Sequence, residues 1–278
     1  MTVKLSANLG FMWSELPLLD RIAASANAGF KAIELHWPYD TPPDLVRQAC
    51  AQLDLQLLSI NTPVGREAGD AGLAAQPGRE TEFRDAFKQT LDWAVQSGAS
   101  MIHVLPGLAV PSTQLTSQPQ LQTQAQVAFL ENLLWASELA AAQQITLLLE
   151  AINGRDKPGY FYHRQAESMA IIDALKDKAV SESKMAIDNV KLMFDVYHVG
   201  VAEGDILKKL EHYLPHIGHI QIASVPNRAE PDEGEVSYEA VFEGLSALGY
   251  QGWVGCEYRP RGDPQEGLKW VSAMGLAL

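Results

Sequence analysis

Four polar residues that could bind a metal ion or move a proton stand at the ends of short apolar segments in the second half of the chain. The segments read ITLLL, VKLMF, IGHI and GWVGC, and the residues that follow them are Glu150, Asp195, Gln221 and Glu257. Short, largely apolar runs of this kind are typical of strands buried on both faces. A carboxylate at the end of such a strand is costly to bury unless a positive charge meets it.

Together, the three carboxylates and the amide oxygen would form a site made of oxygen ligands alone. Converging carboxylates repel one another and raise the pKa of at least one of them, and a divalent cation removes that repulsion. Oxygen ligands without a thiolate favour Mg²⁺ or Mn²⁺ over zinc. A single acid at a strand end could equally be a solvated or loop-capping carboxylate, so the metal hypothesis depends on the convergence of all four side chains.

Two histidines accompany these residues. His198 follows Asp195 by three positions in the sequence DVYH, and it could position a substrate oxygen, shuttle a proton or cap the following loop. His103 lies within the apolar segment 100–105, where we expect a histidine whose polar atoms are satisfied in the core.

Basic and aromatic residues occupy the loops beyond the same segments. Arg228 and Arg259 lie in the last two of these loops, and arginine can grip a substrate carboxylate with two hydrogen bonds. Both could instead be surface residues. Lys157 and Tyr160 lie in the loop after Glu150 and could close over a ligand.

Eight apolar segments alternate with helical patterns along the chain, which predicts a parallel sheet. Eight such units that close on themselves form a single-domain α/β protein of the (β/α)8 TIM barrel class, in which catalytic groups lie at the carboxyl ends of the strands. The alternative, an open doubly wound sheet, lacks the glycine-rich fingerprint after its first strand. The predicted strands are Val3–Leu9, Ala32–Leu35, Leu55–Ile60, Ser100–Leu105, Ile145–Leu149, Val190–Phe194, Ile217–Ile222 and Gly252–Cys256.

The segments between these strands carry helical periodicity or polar loops. Two long polar loops, Asn61–Arg79 and Ala109–Gln120, are either lids, binding loops or disordered segments. No linker divides the chain, which predicts one domain over residues 1–278. The predicted helices are Ser14–Ala28, Pro42–Leu53, Glu80–Gln96, Leu121–Ala142, Gln165–Lys176, Ala179–Asn189, Glu203–Tyr213, Tyr238–Leu248 and Pro264–Met274.

Charge and composition exclude several partners. The 278 residues include 34 acidic and 21 basic side chains, a net charge of −13, which argues against nucleic acid and against anionic membranes. The two cysteines, Cys50 and Cys256, form neither a zinc pair nor a disulfide framework, as expected in a reducing compartment. The first residues lack the pattern of a signal peptide, and no apolar run reaches the roughly 18 residues of a membrane span. We therefore expect a cytoplasmic protein with a small-molecule substrate.

Several segments resemble the hydroxypyruvate isomerase family, which belongs to the xylose-isomerase-like TIM barrels. They are LLLEAIN, MFDVYH, HIQIA with the following Asn227 and Arg228, EPDEGEVSY, GYQGWVGCEYRPRG and GRETEFRDAF. The resemblance covers nearly the whole chain and is most specific in its last third. It implies a Mg²⁺ or Mn²⁺ ion bound by Glu, Asp, Gln and Glu. These correspond to Glu150, Asp195, Gln221 and Glu257.

The resemblance also implies roles for individual residues. Glu150 and Glu257 would be the acid–base pair, and His198 and Arg228 would contact the substrate. Gln221 stands where sugar epimerases of the superfamily usually have histidine, which favours the hydroxypyruvate isomerase branch. The implied reaction interconverts hydroxypyruvate and tartronate semialdehyde, or a related small 2-oxo sugar acid, through an enediolate.

Other activities stay open on the same residues. The family contains 2-dehydrotetronate isomerases, its paralogues include ketose 3-epimerases, and paired glutamates also suit a retaining glycoside hydrolase. A metal-dependent endonuclease is disfavoured by the acidity of the chain, and a sugar-acid sensor by the intact set of ligands. Many barrels of the family pair up, so the resemblance implies a homo-oligomer, either a dimer or a tetramer.

Overall fold

Short parallel strands form one continuous sheet in the computed structural model, which describes residues 3–109 and 120–278. Consecutive strands along the chain are neighbours in the sheet, apart from the two short strands on either side of Leu58. The first strand also pairs with the last, and all pairs run parallel. Each strand observed in these ranges lies inside a predicted one or extends it by one residue. The strands are β1 Lys4–Asn8, β2 Ala32–Glu34, β3 Gln56–Leu57, β4 Ser59–Asn61, β5 Met101–His103, β6 Thr146–Glu150, β7 Val190–Asp195, β8 Ile217–Ile222 and β9 Trp253–Cys256.

The two edges of the sheet meet at Leu58. This residue separates β3, which pairs with β2, from β4, which pairs with β5. Its N–H donates to the carbonyl of Ile33 at 2.9 Å, and its carbonyl accepts from the N–H of Met101 at 2.9 Å. β3 and β4 therefore act as a single strand interrupted at Leu58. Counted in this way, the sheet closes into a barrel of eight parallel strands. The prediction of a (β/α)8 TIM barrel is confirmed.

The strands are buried on both faces, as their apolar sequences predict. Leu147, Leu148 and Leu149 follow one another in β6 and are all fully buried, although successive side chains point to opposite faces. One face fills the barrel and the other packs against the surrounding helices. Apolar burial of this kind contributes most of the stability of such a fold.

The helices surround the barrel, and several end where a glycine adopts a left-handed conformation. Gly29 and Gly98, at φ 110° and 87°, donate their N–H groups to the last turns of the helices Leu18–Ala28 and Glu80–Ser97, as glycine does after many helices. The α-helices within the described ranges are α1 Leu18–Ala28, α2 Pro43–Gln52, α3 Glu80–Ser97, α4 Gln120–Ala142, α5 Gln165–Ser181, α6 Val196–Ala202, α7 Ile206–Tyr213, α8 Tyr238–Ala247, α9 Pro264–Gly267 and α10 Lys269–Ala273.

Two predicted helices differ from the structure, and one observed helix was not predicted. The predicted helix 179–189 is not a separate element, because α5 continues through Ser181 and the chain then runs to β7 without a helix. The predicted helix 264–274 is divided into α9 and α10. Helix α6 was not predicted, because its sequence VYHVGVA is short and rich in residues of weak helix propensity. It begins where the Asp195 carboxylate accepts a hydrogen bond from the N–H of Tyr197 at 2.8 Å.

The first long loop, 61–79, is held by charged side chains. The guanidinium of Arg79 donates to both carboxylate oxygens of Asp70, at 2.7 and 2.9 Å, and to Glu82. Such bidentate pairs are among the stronger hydrogen bonds in proteins. The second predicted loop, Ala109–Gln120, lies outside the described residues except for its two end positions. Among the residues that the structure describes, no helix combines the length and apolarity needed to cross a bilayer.

Candidate active site

The barrel brings the four predicted ligands to the same rim. Glu150 and Asp195 are the last residues of β6 and β7, Gln221 is the residue before the last in β8, and Glu257 directly follows β9. Asp195 and Gln221 are register partners, and all four side chains are buried. Parallel strands of a closed barrel carry their carboxyl ends at one face, so residues far apart in sequence become neighbours.

Three of the four ligands present a buried oxygen that forms no hydrogen bond within the described residues. They are Oε1 of Glu150, Oδ2 of Asp195 and Oε1 of Gln221. Leaving such oxygens unpaired in a protein interior is costly. A hard divalent cation is the partner that carboxylate and amide oxygens favour, so the residues present fit a Mg²⁺ or Mn²⁺ ion.

His198, the third residue of α6, lies against the first two of these acids. Its Nε2 is 3.5 Å from Oε1 of Glu150 and 3.5 Å from Oδ2 of Asp195. The backbone N–H and side-chain amide of Asn153 approach its Nδ1 at 3.4 and 2.6 Å. Because a backbone N–H can only donate, Nδ1 is the acceptor, and a neutral ring then carries its proton on Nε2. His198 thus faces the acids as a hydrogen-bond donor.

Glu150, Asp195 and His198 also form a compact group, with their potential ligand atoms within 4.8 Å of one another. Within the described residues Glu257 is not part of this group. Since Nε2 of His198 carries the proton in the arrangement above, the ring suits contact with a substrate oxygen better than binding of a metal. The predicted assignment of Glu257 as the fourth ligand stays a prediction.

Glu257 is surrounded by donors. Its Oε2 accepts from a guanidinium nitrogen of Arg228 at 2.8 Å, and its Oε1 accepts from Asn8 Nδ2 at 3.2 Å and lies 3.0 Å from His36 Nε2. The guanidinium of Arg228 stacks on the ring of Phe11 at 5.0 Å. Arg228 therefore contributes positive charge to the acid cluster from the cavity side.

The two glutamates have pKa values shifted in opposite directions. Burial raises the pKa of Glu150 well above its ordinary value, and the charges of Glu257 and Asp195 raise it further. Burial likewise raises the pKa of Asp195 to about 7. At Glu257 burial acts in the same sense, but the nearby Arg228 and His36 outweigh it and hold its pKa below the usual range. Environments that separate two carboxyl pKa values are typical of acid–base pairs.

A cavity of about 200 Å³ opens above these residues. Phe11 and Trp37 line it together with Glu150, Glu257 and Lys157. No carboxylate of the described residues lies within ion-pair distance of the Lys157 ammonium group. The cavity thus combines a buried acidic cluster with a cation that is free to meet an anionic ligand.

The remaining predicted residues, His103, Tyr160 and Arg259, differ in whether they reach the cavity. His103 is buried but lines the cavity, with Nδ1 3.6 Å from Oε2 of Glu150 and no hydrogen-bond partner for Nε2 within the described residues. The prediction of a satisfied core histidine is therefore wrong, and burial lowers its pKa to about 4. Tyr160 lines the cavity, and its closing over a ligand stays a prediction. Arg259 is exposed and packs on Phe11 at 5.4 Å without lining the cavity.

Glu34 and His36 belong to the site although the sequence pattern did not predict them. Glu34 ends β2 in the segment AIELH and is almost completely buried, with its Oε2 accepting from the amide nitrogen of Gln221 at 2.8 Å. A glutamate at the end of an apolar strand is the same signal that identified Glu150. The signal is weaker here because β2 is only three residues long and no polar motif follows it.

Gly255 in β9 provides the space that the Glu34 carboxylate occupies. A Cβ at this position would lie 1.8 Å from Oε1 of Glu34. We expect Gly255→Ala to lower the free energy of unfolding by about 1–3 kcal/mol, the usual range for overpacking in a core, as measured by urea unfolding. Gly262→Ala is the control, because the Cβ that alanine would add there has no neighbouring atom within 4 Å and the φ of Gly262 is not positive. Equal stability of the two variants would contradict the close contact.

Known proteins resemble the chain over almost its entire length. A family model described as the xylose isomerase-like TIM barrel matches residues 22–274. The 2-oxo-tetronate isomerase of Cupriavidus necator is 42% identical over 272 residues, which cover 96% of this chain and 97% of that protein. The hydroxypyruvate isomerase of Escherichia coli is 32% identical over 270 residues, covering 97% and 98%.

A solved structure shares the fold of this chain. The crystal structure of a protein from Brucella melitensis, described as an AP endonuclease of family 2, superimposes with a TM-score of 0.88. It is 35% identical, and the match covers 98% of this chain and 99% of that one. The chain belongs to the hydroxypyruvate isomerase family of the xylose isomerase-like TIM barrels, and it is an isomerase.

Proposed function

We propose that this isomerase interconverts a small 2-oxo sugar acid and its hydroxyaldehyde isomer, with hydroxypyruvate and tartronate semialdehyde as the simplest pair. The observation that carries the proposal is a cavity of about 200 Å³ lined by Glu150, Glu257 and Lys157, whose ammonium group has no carboxylate within ion-pair distance among the described residues. Its volume suits a substrate of a few carbons, since drug-sized ligands need about 300 Å³ or more. The relatives from Cupriavidus necator and Escherichia coli are named for 2-oxo-tetronate and hydroxypyruvate.

A Mg²⁺ or Mn²⁺ ion would be held by Glu150, Asp195, Gln221 and Glu257. The three buried, unpaired oxygens described above support this assignment. When bound, the ion would polarise the substrate carbonyl and offset the negative charge that develops on oxygen during isomerisation.

The protein side chains would move the proton. In hydroxypyruvate one proton leaves C3 and one arrives at C2, while the hydroxyl proton passes from O3 to O2, so the product is an isomer through an enediolate. Glu150 and Glu257 are the candidates for the exchange at carbon, with either order of action. The Nε2–H of His198 is placed to donate to a substrate oxygen beside Glu150. The aromatic rings of Phe11 and Trp37, which line the cavity, would limit water around the reacting carbons.

Lys157 would select acids over neutral sugars by meeting the substrate carboxylate. We expect Lys157→Met to raise KM for a 2-oxo acid about tenfold, the effect of losing one charge-assisted hydrogen bond, with kcat changed much less. Steady-state kinetics measure both values. Lys88→Met, on the exposed face of α3, is the matched control. An unchanged KM for the acid in Lys157→Met would contradict this role.

Two alternatives on the same site differ in substrate. A 2-dehydrotetronate is one carbon longer than hydroxypyruvate, and a ketose lacks the carboxylate that Lys157 would meet. A glycoside hydrolase is set aside because the relatives are isomerases. Nuclease activity, which the description of the Brucella protein suggests, is disfavoured by the net charge of −13.

A substrate panel tests the proposal. Metal-loaded protein is assayed with hydroxypyruvate, 2-dehydrotetronates and ketoses, and formation of the isomer is followed by NMR. We expect the highest kcat/KM for one of the acids. A preference for a neutral ketose would replace the proposal with an epimerase. The predicted dimer or tetramer is measured separately by light scattering.

A further inference from the structure

The buried carboxylate of Glu34 is surrounded by polar side chains next to the candidate metal ligands. Its exposed fraction is 1%. Oε1 accepts a hydrogen bond from Ser6 Oγ at 2.8 Å, and Oε2 accepts from Gln221 Nε2 at 2.8 Å and from Asn8 Nδ2 at 3.5 Å. His219 Nε2 approaches Oε1 at 3.0 Å without hydrogen-bond alignment. The carboxylate is thus an acceptor at both oxygens.

The hydrogen bond to Gln221 decides which end of its amide faces the cation site. An amide has a donor end and an acceptor end, and either can point in a given direction. Gln221 and Asp195 are register partners on neighbouring strands, so their side chains leave the sheet side by side on the same face. An amide with no other partner would turn its NH2 group toward the Asp195 carboxylate and present a donor where a cation needs an acceptor.

Glu34 imposes the opposite orientation. Because the NH2 group is engaged by Oε2 of Glu34, the amide oxygen points away from it, and this oxygen is buried without a hydrogen-bond partner in the described residues. The same carboxylate contacts Asn8, whose Nδ2 also donates to Oε1 of Glu257 at 3.2 Å. Glu34 therefore touches one candidate ligand directly and a second through Asn8.

We propose that Glu34 is a positioning residue that holds the Gln221 amide with its oxygen toward the divalent cation. This inference rests on the proposed metal site. Partners that orient metal ligands in this way commonly account for about 10–100-fold in metal affinity. The space opened by Gly255 for the Glu34 carboxylate is independent support, because β9 omits a side chain where this group lies.

The test compares Mn²⁺ binding to metal-free proteins by isothermal titration calorimetry. We expect Glu34→Gln, which no longer dictates the amide orientation, to weaken binding by about 10–100-fold relative to the unsubstituted chain. The rise in Tm on adding Mn²⁺ should shrink in parallel. Ser6→Ala is the matched control, because it removes a hydrogen bond to Oε1 and leaves the bond to Gln221. Its Mn²⁺ affinity should stay within about threefold.

A double-mutant cycle tests whether Glu34 changes the Mn²⁺ affinity through the Gln221 amide. In a Gln221→Ala background, Glu34→Gln should change Mn²⁺ affinity by less than about threefold. Circular dichroism and the Tm of each metal-free variant establish folding. Should Glu34→Gln fail to fold, Glu34→Asp keeps the charge and withdraws the acceptor from Gln221, so the same loss of affinity is expected.

Two results would overturn the inference. One is equal Mn²⁺ affinity in Glu34→Gln and the unsubstituted protein. The other is an undiminished loss in the Gln221→Ala background, which would show that Glu34 acts through its charge and not through the amide. Failure of the unsubstituted protein to bind Mn²⁺ is a separate result, which overturns the metal site itself and the inference with it.

Discussion

Replacement of Glu257 by glutamine is expected to lower kcat by about 10²–10⁴-fold, the usual contribution of a general acid or base. The substitution keeps the shape of the side chain and removes the group that exchanges a proton with the substrate carbon. Glu150→Gln should show a loss of similar size, because a complete turnover needs one carboxylate to remove the proton from carbon and the other to return one. Initial rates at saturating substrate and metal measure kcat directly.

The design of this experiment separates proton transfer from metal binding. Each variant is assayed over a range of Mn²⁺ concentrations, so that weakened binding is overcome by excess metal and the remaining loss reports on chemistry. Glu203→Gln is the matched control, because its side chain accepts a hydrogen bond from the N–H of Gln165 that glutamine can also accept. Its kcat should stay within about twofold of the unsubstituted protein, as for most changes away from a site. Near-normal turnover by Glu257→Gln would remove Glu257 from the pair.

Removal of divalent cations should have an effect at least as large. Dialysis against EDTA is expected to lower activity by about 10³-fold or more, since stabilisation of developing charge by a metal is worth several kcal/mol and each 1.4 kcal/mol is tenfold. Addition of Mg²⁺ or Mn²⁺ in excess of the chelator should restore it. Rates measured before chelation, after it and after reconstitution give the comparison.

A substitution at Asp195 tests the metal requirement independently of chelation. Asp195→Asn keeps the size of the side chain and removes one of the buried anions, so it should need more Mn²⁺ for half-maximal activity. Asp188→Asn, an exposed position before the start of β7, should behave as the unsubstituted protein. Full activity after exhaustive chelation, with no metal detected by mass spectrometry, would exclude a metal-dependent mechanism.

The pattern of apolar segments was sufficient to predict the barrel and the location of four site residues. Uninterrupted apolar runs such as the one before Glu150 occur where both faces of a strand are buried, and eight of them spaced by helices leave few other architectures. The pattern was weaker where an element is short. Helix α6, which carries His198, depends on a cap from Asp195 more than on the propensities of its own residues.

Local sequence could not show which groups each site residue would meet. The partner of Gln221 is Glu34, 187 positions away, and Asn8 contacts Glu257 across 249 positions. The predicted role of Arg228 said nothing of its pairing with Glu257, which lowers the pKa of that carboxyl. Such contacts arise only when the barrel closes, because closure sets the first strands beside the last.

The chain by itself therefore determined the fold class, the rim at which the acids gather and the family to which the protein belongs. The fold class and the rim follow from residue type and spacing along the chain, and the family follows from the resemblance of segments spread over nearly its whole length. Only the tertiary structure decided that Glu34 faces Gln221, that His103 reaches the cavity and that Lys157 is free of acidic partners among the described residues. The physical reason is that hydrogen-bond orientation, burial and pKa depend on neighbours in space, and the barrel draws these neighbours from opposite ends of the sequence.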